Sequence, residues 1–269
     1  MKKLLVLALA ALMLVGVLAG CGSKDGAEAP SADERTTFVM GVDAEYPPFS
    51  YLGDDGAYTG FDVEVCQAVC DKLGWELEIF PVNWDQKLVQ LDAKECDCVW
   101  SGMTIVDSMK EKGYVISEPY YYNTQVLVVK EDSGIESSKD LEGKAVAVQL
   151  GTSGEALLAE DLKELSDTFG ETLTCDSFLK CFTELEGNSV DAVFVDMPVA
   201  AAYVAEHDGL KIIDEQLGAE QYGIAFRAGD EELCAKVQEA IDALVENGTY
   251  AKIAAKYPDI VNNLLFLQG

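Results

Sequence analysis

Residues 37–49 read TFVMGVDAEYPPF, an apolar run rich in β-formers that ends on a carboxylate, an aromatic ring and two prolines. The run predicts a buried strand over 37–42, and the prolines a stiffened loop behind it. GFDVEVCQAVCDKLG (60–74) follows, with helical spacing from Val63 to Leu73, Asp62 as its expected N-cap and Gly74 as its stop. A second strand is expected at 77–81 and a helix at 85–93, with Leu88 and Leu91 on one face. A third short strand is expected at 98–102. Strand, helix, strand, helix, strand in this order predicts a parallel sheet with right-handed crossovers.

After Tyr120 the pattern restarts. Strands are expected at 126–129, 145–149 and 190–195, a short helix at 138–141, and a longer helix from the glycine turn 151–154 to about Ser166. A helix at 198–206, a strand-like stretch at 222–226 and helices at 230–247 and 250–256 complete the chain, with Asn247-Gly248 between the last two. No period of 20–50 residues is visible, so solenoids are excluded. An α/β class with two lobes and a ligand between them is the economical reading, because sites in such sheets gather beyond the strand ends.

Charge narrows the function. In 269 residues, 19 Lys plus Arg stand against 48 Asp plus Glu, a formal net charge of −29. Nucleic acid is thereby excluded as a partner, since phosphates are held by clustered cations, and so is docking on anionic lipid through a polybasic patch. The single histidine, His207, excludes chemistry that needs several imidazoles.

Residues 1–20, MKKLLVLALAALMLVGVLAG, have the charged start and apolar run of a secretory signal. Leu18-Ala19-Gly20-Cys21 resembles the bacterial lipoprotein signal, which implies cleavage before Cys21 and lipid attachment to it. Residues 21–35 then read as a tether, and the protein is expected outside the cytoplasm, held at a membrane face. Seven further cysteines remain: Cys66, Cys70, Cys96, Cys98, Cys175, Cys181 and Cys234. A metal site has neither C-x-x-C spacing nor histidine to support it, so no metal is expected. Disulfides and buried free thiols both stay open.

Residue constellations gather at the expected strand ends. Asp43 and Tyr46 lie on the proline-stiffened loop, where a carboxylate and a ring can face a cation. Trp84 follows Asn83 at another strand exit, and Ser101-Gly102-Met103-Thr104 offers backbone groups and two hydroxyls. In the second half, Gln149-Leu150-Gly151-Thr152-Ser153-Gly154-Glu155 is a strand, a glycine turn and a helix start, whose free N–H groups suit a carboxylate. No Gly-Lys-[Ser/Thr] follows, so nucleotide phosphates are disfavoured. Asp196 ends a strand, either to capture an ammonium or to cap the helix ahead of Pro198.

Together GVDAEYPPF (41–49), GFDVE (60–64), SGMT (101–104), VQLGTS (148–153), DAV through Asp196, and QYGIAF (221–226) resemble the extracellular solute-binding proteins of family 3, which capture substrate for polar amino-acid ABC importers. The resemblance runs in order from about Thr36 to Tyr257. It implies a two-lobed periplasmic-binding-protein fold of type II with hinge crossings near 121–125 and 218–222. The lobes would be 36–121 plus 222–269, and 122–221. It further implies a monomer without cofactors that closes on a polar amino acid and delivers it to an importer permease.

Carried over by position, Asp196 takes the ligand ammonium, helped by Gly102 and Thr104. Ser153 and Thr152 meet the α-carboxylate, Tyr46 and Trp84 sandwich the ligand, Asp43 reads its side chain, and Ser101 and Gln149 complete the contacts. The family's Arg about five residues after Thr104 is missing: Met109 stands there, with Lys110 next to it, and the chain's only arginines are Arg35 and Arg227. The same resemblance leaves two alternatives, a cyclohexadienyl or arogenate dehydratase-like enzyme on this fold, or a receptor without transport. An enzyme is not expected, because one histidine in a polar stretch assembles no nucleophile–base pair.

Overall fold

The computed structural model describes residues 34–268; the expected signal, Cys21 and the expected tether up to residue 33 lie outside the described residues. Arg35 belongs to the folded unit and not to a tether. Its Nη1 sits 2.6 Å from Asp97 Oδ2, and its side chain is buried.

Among the described residues the strands form two main sheets and a small one. The first sheet runs, edge to edge, Glu76–Pro81, Thr37–Val42, Cys98–Val99, Ala225–Phe226, Val115–Ile116. Thr37–Val42 pairs in parallel with both neighbours, Thr37 opposite Glu76 and Met40 opposite Cys98, as the β-α-β reading expects. The second sheet runs Glu171–Cys175, Ala145–Gln149, Ala192–Asp196, Tyr121–Lys130, Leu210–Ile212. Its central strands are near-continuous Val, Ala, Leu and Phe because both faces are covered: Val126, Val128, Val146, Val148, Val193 and Val195 are all fully buried.

The two sheets are the cores of two lobes, and the chain crosses between them twice. Gly218–Tyr222 lies antiparallel to the first half of Tyr121–Lys130, with Gly218 opposite Gln125 and Tyr222 opposite Tyr121. Residues 222–226 therefore do not form one strand. Tyr222 ends in the second sheet and Ala225 begins in the first, with Gly223-Ile224 as the crossing.

The first helix, Phe61–Leu73, starts differently from expectation. Gly60, not Asp62, is the N-cap, at φ 121°, and Gly74 closes the helix at φ 74° with its N–H on the Cys70 carbonyl. The Phe61 and Asp62 N–H groups donate to the carbonyls of Pro48 and Phe49, so no side-chain cap is required. Asp62 is thereby freed to turn inward, where it is fully buried.

The expected long helix to Ser166 is broken into Ser153–Ala159 and Lys163–Ser166. Between them the Leu162 N–H reaches the Leu157 carbonyl, which turns Leu162 onto the apolar cluster of Leu158, Val146 and Phe194. Glu171–Cys175 and Phe178–Glu186 had no counterpart in the sequence reading. The strand is a polar edge with only Cys175 buried. The helix buries Phe178, Cys181, Phe182 and Leu185 at helical spacing, with Ser177 accepting the Lys180 N–H as cap. All seven cysteines are buried free thiols.

Glycine 60 gives a test of the loop-to-helix junction. A Cβ there would lie 2.3 Å from the Phe49 carbonyl oxygen, whereas at Gly56, also at positive φ, it would meet nothing within 4 Å. Gly60→Ala is expected to cost about 3 kcal/mol or more in urea unfolding, and Gly56→Ala about 1 kcal/mol from backbone strain alone. Equal costs would show that the close approach to Phe49 is unimportant.

Candidate ligand site between the lobes

The parallel strands deliver their polar residues to one cleft. Thr37–Val42 ends at Asp43, Cys98–Val99 leads to Ser101 and Gly102, Ala145–Gln149 ends at Gln149, and Ala192–Asp196 ends at Asp196. This is the edge where open α/β sheets bind ligands.

Asp196 is the centre of the largest polar network. Its Oδ2 accepts from the Tyr46 hydroxyl at 3.0 Å, and its Oδ1 accepts from Asn123 Nδ2 at 2.6 Å and Gln125 Nε2 at 2.5 Å. Those same amides donate to Glu220 Oε1 at 2.7 and 3.0 Å, so two carboxylates share two donors. The Tyr46 and Tyr222 hydroxyls lie 2.7 Å apart. Burial raises the Asp196 carboxyl and the adjacent Glu220 charge pushes it further, to about 8.

A second network spans the cleft beside it. Asp43 is buried, and its Oδ2 accepts from Gln149 Nε2 at 2.8 Å while its Oδ1 accepts from the Glu45 N–H at 2.9 Å. Ser101 Oγ accepts the Asp43 N–H at 3.1 Å and lies 2.5 Å from Ser50 Oγ. Burial raises the Asp43 carboxyl, against the Gln149 hydrogen bond that lowers it.

Trp84, Thr104, Thr152 and Ser153 line a third feature, a cavity of about 200 Å³. Thr104 Oγ1 donates to Ser153 Oγ at 3.2 Å across the cleft. Tyr46 lies on Asp196 and does not line this cavity with Trp84. Gly102, at φ 54°, sits directly under the Tyr46 ring, where a Cβ would come within 2.3 Å of the ring edge. The glycine turn after Gln149 is also occupied by its own chain: Glu155 Oε2 accepts the Gly151 N–H at 2.7 Å, and Thr152 Oγ1 accepts the Glu155 N–H at 3.2 Å. Lys110 is exposed and does not line the cavity, whereas Met109 does.

Several residues in these networks were not singled out from the sequence: Asn123, Gln125, Glu220, Tyr222, Lys87 and, in its actual role, Asp62. Asp62 Oδ2 accepts the Gly102 N–H at 3.0 Å and the Tyr120 hydroxyl at 2.7 Å, so it fixes the Gly102 loop from below. Asn123 and Gln125 carried a signal, two amides at alternating positions ahead of a wholly apolar run. Both arginines are structural. Arg35 and Arg227 converge on Asp97, and Arg227 also bonds the carbonyls of Leu91 and Cys96. His207 lies against Tyr203, ring centroids 3.8 Å apart, and takes no part in the networks around Asp196 and Asp43.

The chain is similar to known proteins over most of its length. Residues 38–259 match the bacterial extracellular solute-binding proteins, family 3. The chain belongs to this family. It is 35% identical to the L-cystine-binding protein TcyJ of Escherichia coli (strain K12), over 93% of this chain and 94% of that protein. It is also 35% identical to the arginine-binding extracellular protein ArtP of Bacillus subtilis (strain 168), over 96% and 98%. A substrate-binding protein of an ABC uptake transporter from Streptococcus pneumoniae, solved with bound histidine, superposes with a TM-score of 0.79 at 28% identity, covering 84% of this chain and 94% of that one. The family's two-lobed type II fold is the fold described above. No helix among the described residues is long and apolar enough to cross a membrane.

Buried carboxyls give the family member a pH signature. Burial pushes Asp62 up to about 7, against the Tyr120 and Gly102 hydrogen bonds that lower it. A carboxyl raised on folding takes up a proton, so its stabilisation is complete below its unfolded value near 4 and is lost as pH rises through about 7. Asp196 acts in the same direction. The thermal midpoint is expected to fall by several degrees between pH 5 and pH 8, and Asp62→Asn to narrow that difference. A variant with the wild-type pH profile would remove Asp62 as a contributor.

Proposed function

We propose that this protein captures a polar amino acid between its lobes outside the cytoplasm and delivers it to an ABC importer. The observation that carries the reading is the buried Asp196 carboxylate at the cleft, ringed by Tyr46, Asn123, Gln125 and Glu220. Such a cluster suits an ammonium group, because a cation placed there favours the ionised form of a carboxyl that burial otherwise keeps protonated, and pairs with it. Cystine, arginine and histidine binding among the relatives supports an amino acid as the ligand.

On this reading Asp196 takes the ammonium. The ligand displaces the Tyr46 hydroxyl, and the Tyr46 ring then faces Trp84 across it. Asp43 with Gln149 reads the side chain, and Ser101, Gly102, Thr104, Thr152 and Ser153 furnish the remaining polar contacts. The lobes are taken as 36–121 plus 222–269, and 122–221, with closure about the paired strands Tyr121–Lys130 and Gly218–Tyr222. A lipid on Cys21 would keep a monomer near its permease. The reading has no catalytic step: the protein binds and releases its ligand unchanged.

Isothermal titration against the twenty amino acids, cystine, ornithine and polyamines tests it. One or more amino acids should bind in the micromolar range or tighter. Asp196→Ala should weaken that binding at least 100-fold with the fold retained by circular dichroism, since a ligand ammonium left unpaired in a closed cleft is costly. Absence of heat and of thermal shift with every compound would defeat the proposal.

A further inference from the structure

The cavity beside Trp84 is unlike the rest of this acidic chain. Its charged lining residues are Lys87 and Lys112, with no carboxylate among the residues that line it. Lys112 is exposed, whereas Lys87 is half-buried, with its Nζ 4.8 Å above the Trp84 ring. That Nζ donates to the Gly151 carbonyl at 2.6 Å and to the Trp84 carbonyl at 3.0 Å. Two of three ammonium hydrogens are thus taken by neutral carbonyls, which leaves one donor for the cavity.

The opposite wall explains why a lysine is needed here. Met109, where the family resemblance calls for an arginine, is buried in an apolar cluster with Leu91, Cys96, Val99 and Met103. Met109 also lines the cavity, so this wall presents a thioether where a guanidinium would stand. The Thr104 and Ser153 hydroxyls stand on the same cavity. At Gly151 the backbone comes so near Asp85 that a Cβ would lie 2.7 Å from its Cα, which brings the Lys87 segment and the Gly151 turn together across the cleft.

We propose that Lys87 holds the carboxylate of the ligand in this cavity, in place of the missing arginine. The inference rests on the amino-acid reading above and adds a residue to it. Charge around Lys87 is consistent with the role. Burial lowers its pKa to about 8, while Asp85, Asp43 and Glu155 pull it up, so it is cationic at neutral pH. Lys112 is the other cation facing the cavity.

The test compares three acids with the amines that lack their carboxylates: L-arginine with agmatine, L-cystine with cystamine and L-histidine with histamine. Each is titrated into wild type, Lys87→Met and Lys87→Arg, with thermal unfolding to confirm that each variant is folded. For whichever acid binds, wild type should favour it over its amine. Lys87→Met should weaken the acid about 10- to 150-fold more than the amine, the range for one hydrogen bond to a charged group, whatever both lose with the Gly151 bond. Lys87→Arg should keep most of the acid affinity, and should flatten the decline that wild type shows from pH 7 to pH 9. Equal losses for acid and amine in Lys87→Met, or no loss for either, would overturn the role of Lys87 while leaving amino-acid capture standing. Absence of binding by wild type to every acid would instead defeat the amino-acid reading, and this inference with it.

Discussion

Everything in the cleft depends on how Asp196 is kept satisfied. A carboxylate removed from water is costly unless several donors compensate it. Here the donors come from different parts of the fold: Tyr46 from the first lobe, Asn123 and Gln125 from the strand that crosses between lobes. The bond from Tyr46 exists only while the lobes are together. Gln149 to Asp43 and Thr104 to Ser153 share that property. Beside the ring contact of Tyr46 with Phe178, centroids 5.9 Å apart, the lobes thus meet through hydrogen bonds. Such contacts can be exchanged for water or for a polar ligand at small net cost, because each contributes only about 1 kcal/mol. A binding protein that must open as well as close needs an interface of this kind.

Rigid support behind the cleft contrasts with that exchangeable front. Asp62 grips the Gly102 N–H from below, Tyr120 closes the same triangle, and none of the three faces the cavity. Under the first sheet, Arg35 and Arg227 converge on Asp97, whose Oδ2 also accepts the Val39 N–H. Both guanidinium groups of an arginine-poor chain stand at this carboxylate, Arg227 pairing with Asp230 Oδ2 at 3.0 Å as well. The consequence reaches the ligand site, since no arginine is left there and the work of holding an anion has to pass to a lysine.

The sequence was most informative where one residue sits at the end of one strand. Asp43, Gln149 and Asp196 could be found that way, because a strand exit in an α/β sheet faces the cleft whatever the tertiary details. Asn123, Gln125 and Glu220 could not. Their meeting needs the register that sets Asn123 opposite Glu220 and Gln125 opposite Asp196, and register between strands some 70 to 95 residues apart is a property of the packed sheet. Asp62 was misread for a local reason. The N-cap preference for Asp is real, but the carbonyls of Pro48 and Phe49 had already taken the N–H groups a cap would serve. Lys87 left no signal at all, since helical spacing does not say that a side chain reaches a carbonyl 64 residues away.

Exchange of an arginine for a lysine at the anion end changes more than strength. A guanidinium recognises a carboxylate through two parallel hydrogen bonds and so fixes the plane of the ligand, whereas an ammonium is a point charge with freely rotating donors. Orientation must then come from elsewhere, and the fixed elements at hand are the Trp84 ring, the Thr104 and Ser153 hydroxyls and the tyrosine–carboxylate cluster at the other end. Lys87 belongs to the first lobe and already binds the Gly151 carbonyl of the second. A ligand carboxylate placed on its remaining donor would therefore add to a contact that exists only in the closed arrangement, and ligand capture and lobe closure would draw on the same ammonium. Differential affinity for one of two states is what allows a ligand to shift their populations. A carboxylate held by Lys87 of the first lobe gains that differential from Thr152 and Ser153 of the second, which share the cavity with Lys87.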